Sequence, residues 1–137
     1  PFSVIQSAAT MVAYGRRAIR DSIDVPEIGR YWADRIYKLL EACVRDRSQI
    51  PAAQSMDIMF HEFMADTFAT LEIIYKKAGL ELTDKARGEL QDFMDNHPRG
   101  KYGQITYHLK RDFDIEPSAL REKFQFYFDA FPVKFES

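Results

Sequence analysis

Cysteine is almost absent from this sequence, which contains only Cys43. A disulfide framework within the chain is therefore excluded, and this usage is typical of a reducing compartment such as the cytoplasm. No stretch approaches the ~18 consecutive apolar residues of a membrane span, and no signal peptide is visible. The formal net charge is only −2, so the overall basic surface that favours nucleic acid is missing. We therefore expect a cytoplasmic protein with neither a transmembrane segment nor a nucleic-acid partner.

What is present is the composition of a folded domain. The chain has 137 residues, of which 46% are apolar and 29% charged. Eleven phenylalanines and seven tyrosines supply bulky side chains for a core and argue against disorder. The length suits one domain over residues 1–137. Because the sequence begins at Pro1 and not at a methionine, we expect it either to have been processed or to be part of a longer polypeptide.

Two helices are predicted in the first third of the chain. The first covers residues 3 to about 20. Near its end Arg16, Arg17, Arg20, Asp21 and Asp24 form a charged break typical of a solvated face. Asp24 and Pro26 predict the start of the second helix, which runs to about residue 47, because a proline at the first helical position gives up no needed amide proton. The inner face predicted for the first helix consists of Val4, Ile5, Ala8 and Val12. The apolar stripe predicted for the second consists of Ile28, Trp32, Ile36, Leu39, Leu40 and Cys43.

Capping signals predict further helices downstream. Asp66 can open one of them by accepting a hydrogen bond from a backbone amide, and Gly79 can end it in the left-handed conformation. Thr83 can open the next, which Pro98 ends. A last helix, rich in aromatic residues, is predicted over residues 117–131. The pattern is therefore predominantly helical.

One short segment favours a β-strand. Residues 56–60 are apolar apart from Asp57, and we expect this strand to be buried and parallel. A lone strand cannot pair its own backbone groups, so residues upstream of this chain are expected to complete a sheet. The fold class predicted from the residues is mostly α with about one buried parallel strand.

A basic glycine loop follows the helix predicted between Thr83 and Pro98. In it Arg99 and Lys101 flank Gly100, and Gly103 lies two residues further on. Sulfate and phosphate groups are bound by converging backbone amides and by cations, and glycine lets the backbone approach an anion closely. Taken by itself, however, an Arg-Gly-Lys sequence is also a common solvated turn. The loop is therefore a candidate anion site whose interpretation depends on its context.

That context is a resemblance to sulfotransferases that use 3′-phosphoadenosine 5′-phosphosulfate (PAPS). In its C-terminal half that family has an acidic turn, then a helix, then a glycine followed by a hydrophobic residue. This order resembles the segment 57–66, the helix after it, and Gly79 with Leu80. The run Asn96-His97-Pro98-Arg99-Gly100-Lys101-Tyr102-Gly103 is similar to the late bacterial motif Asn-Pro-x-Gly-Lys/Arg-His-Gly, with one inserted histidine and with tyrosine in place of its histidine. At the N-terminus, Pro1 is similar to the proline of an Arg-Asp-Pro-like turn, and Ser7 falls where the family has a phosphate-binding serine.

The resemblance implies a fold, an activity and a set of site residues. It implies the C-terminal part of a single α/β three-layer domain with a nucleotide-kinase-like core, whose N-terminal half with the phosphate loop lies outside residues 1–137. It further implies transfer of a sulfuryl group from PAPS to a hydroxyl or amine of a small-molecule, lipid or sugar acceptor. Ser7, Arg99, Gly100 and Lys101 are expected to hold the 3′-phosphate of the nucleotide. The catalytic residues are expected upstream, so these 137 residues are expected to be inactive alone.

Other interpretations remain open at this stage. A non-enzymatic helical interaction module would account for the helical dominance and the aromatic C-terminal helix, and a pseudoenzyme would keep the fold without the donor. Ser7 can also be a surface serine or one that bonds back to the preceding turn. Metal binding is not expected, because His61, His97 and His108 lack metal-ligand spacing and position 65 is alanine where a zinc-protease helix needs histidine. The sequence leaves homo-oligomerisation undecided.

Overall fold

Helices make up nearly all the regular structure in the computed structural model, which describes residues 1–98, 100–101, 103, 106 and 108–134. Eight α-helices are found within these ranges, together with two 3₁₀ turns at Arg47–Gln49 and Ala52–Gln54. The α-helices are α1 Phe2–Arg17, α2 Val25–Asp46, α3 Phe60–Ala65, α4 Thr67–Lys77, α5 Asp84–Asn96, α6 Leu109–Phe113, α7 Pro117–Lys123 and α8 Gln125–Ala130.

The chain forms two compact units. Unit 1 consists of Pro1–Gln49 and Thr106–Ser137, and unit 2 of Ile50–Ile105. Unit 1 therefore contains α1, α2 and α6–α8, while unit 2 contains α3–α5. That residues 1–137 belong to one domain remains a prediction.

The core of unit 1 lies between α1, α2 and the helices after residue 106. Gly29 lets α2 approach α6 closely, since a Cβ placed there would lie 2.7 Å from the Cβ of Phe113. Phe124 is fully buried, and its ring packs edge-on against Phe2 and Tyr37. The buried cluster consists of Phe2, Ile5, Ala9, Ala13, Ile28, Ala33, Ile36, Leu109, Phe113, Ile115, Leu120 and Phe124.

The buried face of α1 differs from the prediction. Val4 is exposed, and Ala8 and Val12 are only half-buried, so of the predicted face only Ile5 is fully buried. The buried side chains of α1 are Phe2, Ile5, Gln6, Ala9 and Ala13. Because α1 carries apolar residues on both sides, its periodicity alone did not determine which side faces the core.

The start of α2 confirms the predicted helix start near Asp24 and Pro26. Asp24 is the N-cap, and its Oδ1 accepts a hydrogen bond of 2.9 Å from the backbone N–H of Glu27. Pro26 is the second residue of the helix, one position later than expected but still in the first turn. Further along, Ile28 and Ile36 are buried, but Leu39 and Cys43 are exposed. The predicted apolar stripe is therefore correct for the first part of α2 and wrong for its last part.

The predicted last helix is two helices. The chain leaves the helical conformation at Phe124, where φ is −97° and ψ is 9°, between α7 and α8. This break turns the Phe124 ring into the core. That buried ring packs against Phe2 and Tyr37. The short helix α6 was not predicted.

In unit 2 the capping predictions are confirmed. Asp66 accepts from the Ala69 amide at 2.9 Å and opens α4, and Thr83 accepts from the Ala86 amide at 3.2 Å and opens α5. Gly79 has φ 69°, the left-handed conformation expected after α4. Among the described residues of this unit only Met59 and Thr70 are buried, and Phe93 is exposed.

The predicted buried strand is wrong. Residues 56–59 have no regular structure, and α3 already begins at Phe60. Ile58 and Phe60 are exposed, while Met59 is buried. Met59 itself has extended dihedral angles, but the described part of the chain contains no strand against which it could pair. Without a partner strand, a short apolar segment of this kind stays irregular.

Candidate functional site

Ser7 lies on the exposed side of α1, in the second helical turn. Its hydroxyl forms no hydrogen bond with another described residue, so the back-bonding alternative does not apply. The helix starts at Phe2 after Pro1, with no side-chain cap and no acidic residue in its first turn. This end of α1 therefore carries the partial positive charge of the helix dipole without a local carboxylate to neutralise it.

Two backbone hydrogen bonds join described residues of the basic glycine loop. The backbone N–H of Lys101 donates to the carbonyl of Pro98 at 3.1 Å, and that of Gly103 donates to Gly100 at 2.9 Å. Gly100 has φ 78° and Gly103 has φ 101°, a left-handed region that favours glycine at both positions. The two glycines are therefore needed for the shape of the loop, whatever it binds.

The ammonium group of Lys101 lies at the end of α5. Its Nζ donates a hydrogen bond of 2.8 Å to the carbonyl oxygen of Asn96, the last residue of the helix. A cation at this position satisfies a terminal carbonyl and interacts favourably with the negative end of the helix dipole. Lys101 thus has a structural contact in the described structure, and binding an anion would require its side chain to turn outward or to share its protons.

The four predicted site residues do not all belong to the same unit of the chain. Gly100 and Lys101 are adjacent in unit 2, and Ser7 belongs to unit 1. Arg99 lies outside the described residues. The convergence of these residues on one phosphate therefore remains a prediction.

One polar contact in unit 1 was missed by the sequence analysis. Gln6 is almost completely buried, and its Nε2 donates to Oδ2 of Asp112 at 2.7 Å. Arg111 donates to the same carboxylate through Nε at 2.7 Å and through its terminal nitrogen at 3.2 Å. A signal for this was available in the sequence, because Gln6 shares a helical face with Phe2, Ala9 and Ala13. A lone amide on such an apolar face indicates a specific buried partner.

The electrostatics of this contact keep the carboxylate ionised. The hydrogen bond from Arg111 lowers the pKa of Asp112, and the charges of Arg111 and His108 and the Gln6 amide act in the same direction. Asp112 is therefore a fixed anion at neutral pH that holds the Arg111 guanidinium in place.

Within the described ranges, no group of three or more histidine, cysteine, aspartate or glutamate side chains could hold a metal ion. None of the described helices combines the length and hydrophobicity that a bilayer crossing requires.

Comparison with known proteins identifies the family of the chain. The sequence model described as the sulfotransferase family matches residues 1–84, which is more than half of the chain. The chain belongs to the sulfotransferase family. Among curated protein sequences, none matches it significantly.

A solved structure agrees with this at the level of the fold. The crystal structure of sulfotransferase STF9 from Mycobacterium avium superposes with a TM-score of 0.85 at 21% sequence identity. The match covers 100% of this chain and 35% of that chain, so this chain spans about a third of its relative's length. At this identity the likeness shows the fold, and the sulfotransferase fold predicted from the resemblance is confirmed to that extent.

Proposed function

We propose that this chain is the C-terminal part of a PAPS-dependent sulfotransferase and that it holds the 3′-phosphate of the nucleotide. The observation that carries the proposal is the family match over residues 1–84, which includes Ser7. The activity is in-line transfer of a sulfuryl group to a hydroxyl or amine of a small-molecule, lipid or sugar acceptor. By analogy with phosphoryl transfer, positioning and charge neutralisation supply most of the catalysis. A cytoplasmic location belongs to the same proposal.

The geometry of α1 supports the role assigned to Ser7. Its hydroxyl is exposed, forms no hydrogen bond with another described residue, and follows a helix N-terminus without a carboxylate. A phosphate near this end would accept hydrogen bonds and gain from the helix dipole. Arg99 and Lys101 would supply two cations to the phosphate. Gly100 would let the backbone of the loop approach it closely.

The exposed apolar residues support the view that the active domain is larger than this chain. Val4 and Met11 lie two turns apart on α1 and are both exposed, and Phe60, Ile73 and Phe93 are exposed in unit 2. Exposed apolar surface of this kind is typical of a face that another element covers. The rest of an α/β three-layer sulfotransferase domain, including its phosphate loop and catalytic residues, is the proposed cover.

Binding of adenosine 3′,5′-bisphosphate by isothermal titration calorimetry tests the proposal. Adenosine 5′-monophosphate is the matched ligand that lacks only the 3′-phosphate. We expect the bisphosphate to bind at least about tenfold more tightly, because a charge-assisted phosphate contact is worth more than 1.4 kcal/mol. Equal affinity for the two nucleotides would remove the basis for a 3′-phosphate site in this chain.

Variants assign the contacts. Ser7→Ala and Lys101→Gln should each weaken binding of the bisphosphate and leave the monophosphate unchanged. Ser22→Ala is the control for Ser7, because Ser22 is an exposed serine outside the helices of the same unit. Lys85→Gln is the control for Lys101, because Lys85 is an exposed lysine on α5.

A helical interaction module is the competing function, since the same exposed apolar residues could contact a protein partner. The two differ in their response to nucleotide. A module should melt at the same temperature with and without adenosine 3′,5′-bisphosphate, whereas a nucleotide-binding chain is stabilised by the ligand.

A further inference from the structure

Unit 1 contains a cleft whose lining includes none of the residues assigned to the nucleotide. It opens between α1, the start of α2 and α6, and has a volume of about 490 Å³. Its polar lining consists of Thr10, Tyr14, Arg17, Arg111 and Asp112, with Phe113 among the apolar residues beneath. Ser7 lies ten residues before Arg17 on α1, which corresponds to about 15 Å along the helix axis.

The charges of the cleft favour an anion. Arg17, in the last turn of α1, forms no ion pair with another described residue. Arg111 approaches from α6 and is paired with Asp112 through Nε and one terminal nitrogen. Two guanidinium groups against one carboxylate leave an excess of positive charge, and the nitrogens not used for Asp112 remain available as donors.

The hydroxyl groups of the cleft extend along one side of α1. Thr10, Tyr14 and Arg17 are spaced at i, i+4 and i+7, so they follow one another on the same helical face. Hydroxyl groups both donate and accept hydrogen bonds, and the Asp112 carboxylate accepts them. This combination suits a ligand that carries its own hydroxyl groups next to its negative charge.

The buried amide of Gln6 indicates that the position of Arg111 is determined from within the core. Gln6 is 2% exposed, and its Oε1 has no hydrogen-bond partner among the described residues, while its Nε2 is used for Asp112. Burying an amide with an unpaired oxygen costs stability, which an apolar residue of similar size would avoid. What the amide supplies is a second donor that, together with Arg111, fixes the carboxylate at the cleft.

We propose that this cleft is a binding site for a small hydroxylated organic anion, such as a sugar acid. Arg17 and Arg111 bind the carboxylate of the ligand, Thr10 and Asp112 bind its hydroxyl groups, and Gln6 is a positioning residue. The site does not depend on nucleotide binding, so it goes beyond the function proposed above and can be tested separately.

Titration with D-glucuronate, followed by amide chemical shifts in NMR spectra of the chain, tests this site. D-Glucose, without the carboxylate, and inorganic sulfate, without the hydroxyl groups, are the matched probes. We expect saturable shifts at Tyr14, Arg17 and Arg111 with glucuronate, and affinities at least about tenfold lower for the other two. Equal affinity for glucose or for sulfate, or the absence of saturable shifts, would overturn the proposal.

Three variants separate the site from general charge effects. Arg17→Gln and Arg111→Gln should each weaken glucuronate binding by about tenfold or more, as expected for a lost charge-assisted hydrogen bond. Arg16→Gln is the matched control, because it removes the same charge from the neighbouring position, which lines a different cleft. An equal loss in Arg16→Gln would show that only the net charge matters and would overturn the proposal.

Discussion

The side chains of Gln6 and Asp112 are joined by a hydrogen bond of 2.7 Å across 106 positions of sequence. It connects the buried face of α1 to α6, and Arg111 completes the donor set of the carboxylate. The Gln6 carbonyl oxygen is buried without a partner among the described residues. This contact therefore combines a favourable charge-assisted hydrogen bond with an unfavourable desolvated oxygen, and substitutions can separate the two.

Replacement of Gln6 by glutamate should be strongly destabilising, whereas replacement by leucine should not. Gln6→Glu places a second carboxyl group against Asp112 in the core, and we expect a loss of about 2–4 kcal/mol in the free energy of unfolding at neutral pH. Gln6→Leu loses one hydrogen bond but removes the unpaired oxygen, so the change should stay within about 1 kcal/mol. Urea unfolding measures both values, and equal losses for the two variants would contradict the assigned contact.

Acidification should weaken the folded state through Asp112. Because its pKa is lowered in the folded state, chiefly by the hydrogen bond from Arg111, its contribution is fully present above the unfolded value of about 3.9 and is lost as the pH falls through the folded pKa. The melting temperature of Asp112→Asn should therefore fall less between about pH 6 and pH 2 than that of the unmodified chain.

Asp34→Asn is the control for that series. The pKa of Asp34 is also lowered, first by its hydrogen bond to Lys38, but this pair is exposed and contributes little to stability. The variant should keep the pH dependence of the unmodified chain. Parallel melting curves for Asp112→Asn and the unmodified chain would show that Asp112 does not control acid stability.

Gly29 and Gly15 should respond oppositely to alanine. A Cβ at Gly29 would lie 2.7 Å from the Cβ of Phe113 and 3.0 Å from Cδ1 of Ile115, so Gly29→Ala should cost about 1–3 kcal/mol despite the better helix propensity of alanine. At Gly15 no atom lies within 4 Å of the added methyl group, and Gly15→Ala should stabilise α1 by about 0.5–1 kcal/mol. Thermal unfolding distinguishes them, and stabilisation by both substitutions would refute the close approach of α2 to α6.

The chain alone should not transfer sulfate. Because the catalytic residues and the phosphate loop are proposed to lie upstream, incubation with PAPS and a panel of hydroxyl and amine acceptors should release no adenosine 3′,5′-bisphosphate above the rate without protein. Release of the product during repeated turnover would show that the 137 residues contain a complete active site.

Local signals in the sequence were reliable where one residue satisfies a defined backbone group. Asp24 was predicted to mark a helix start, and Asp66 and Thr83 were predicted as helix caps. Each of the three accepts an amide hydrogen bond at the start of its helix. Gly79 has the positive φ expected of it. Such features depend on a few neighbouring residues, so no tertiary information is needed to predict them.

Features that depend on distant residues were harder to predict. Both sides of α1 carry apolar residues, so its periodicity fitted Val4 and Ala8 as well as Phe2 and Ala9. The break at Phe124 is stabilised by ring contacts with residues far away in sequence. The strand predicted at 56–60 has no partner in the described part of the chain. In each case a tertiary contact, or its absence, overrides the local preference.

For the candidate site, the sequence supplied the residues and not their arrangement. Ser7 is exposed as a binding residue must be, but Lys101 contacts the Asn96 carbonyl, which no local pattern predicted. The pair Gln6 and Asp112 was missed because its members are brought together only by the packing of α1 against α6.

The most direct test of the proposed function is an NMR titration of the chain with adenosine 3′,5′-bisphosphate. If Ser7 and the Gly100–Lys101 turn bind one phosphate, their amide signals should shift together and yield a single dissociation constant. Shifts at only one of the two places, or two unrelated constants, would contradict a shared 3′-phosphate site.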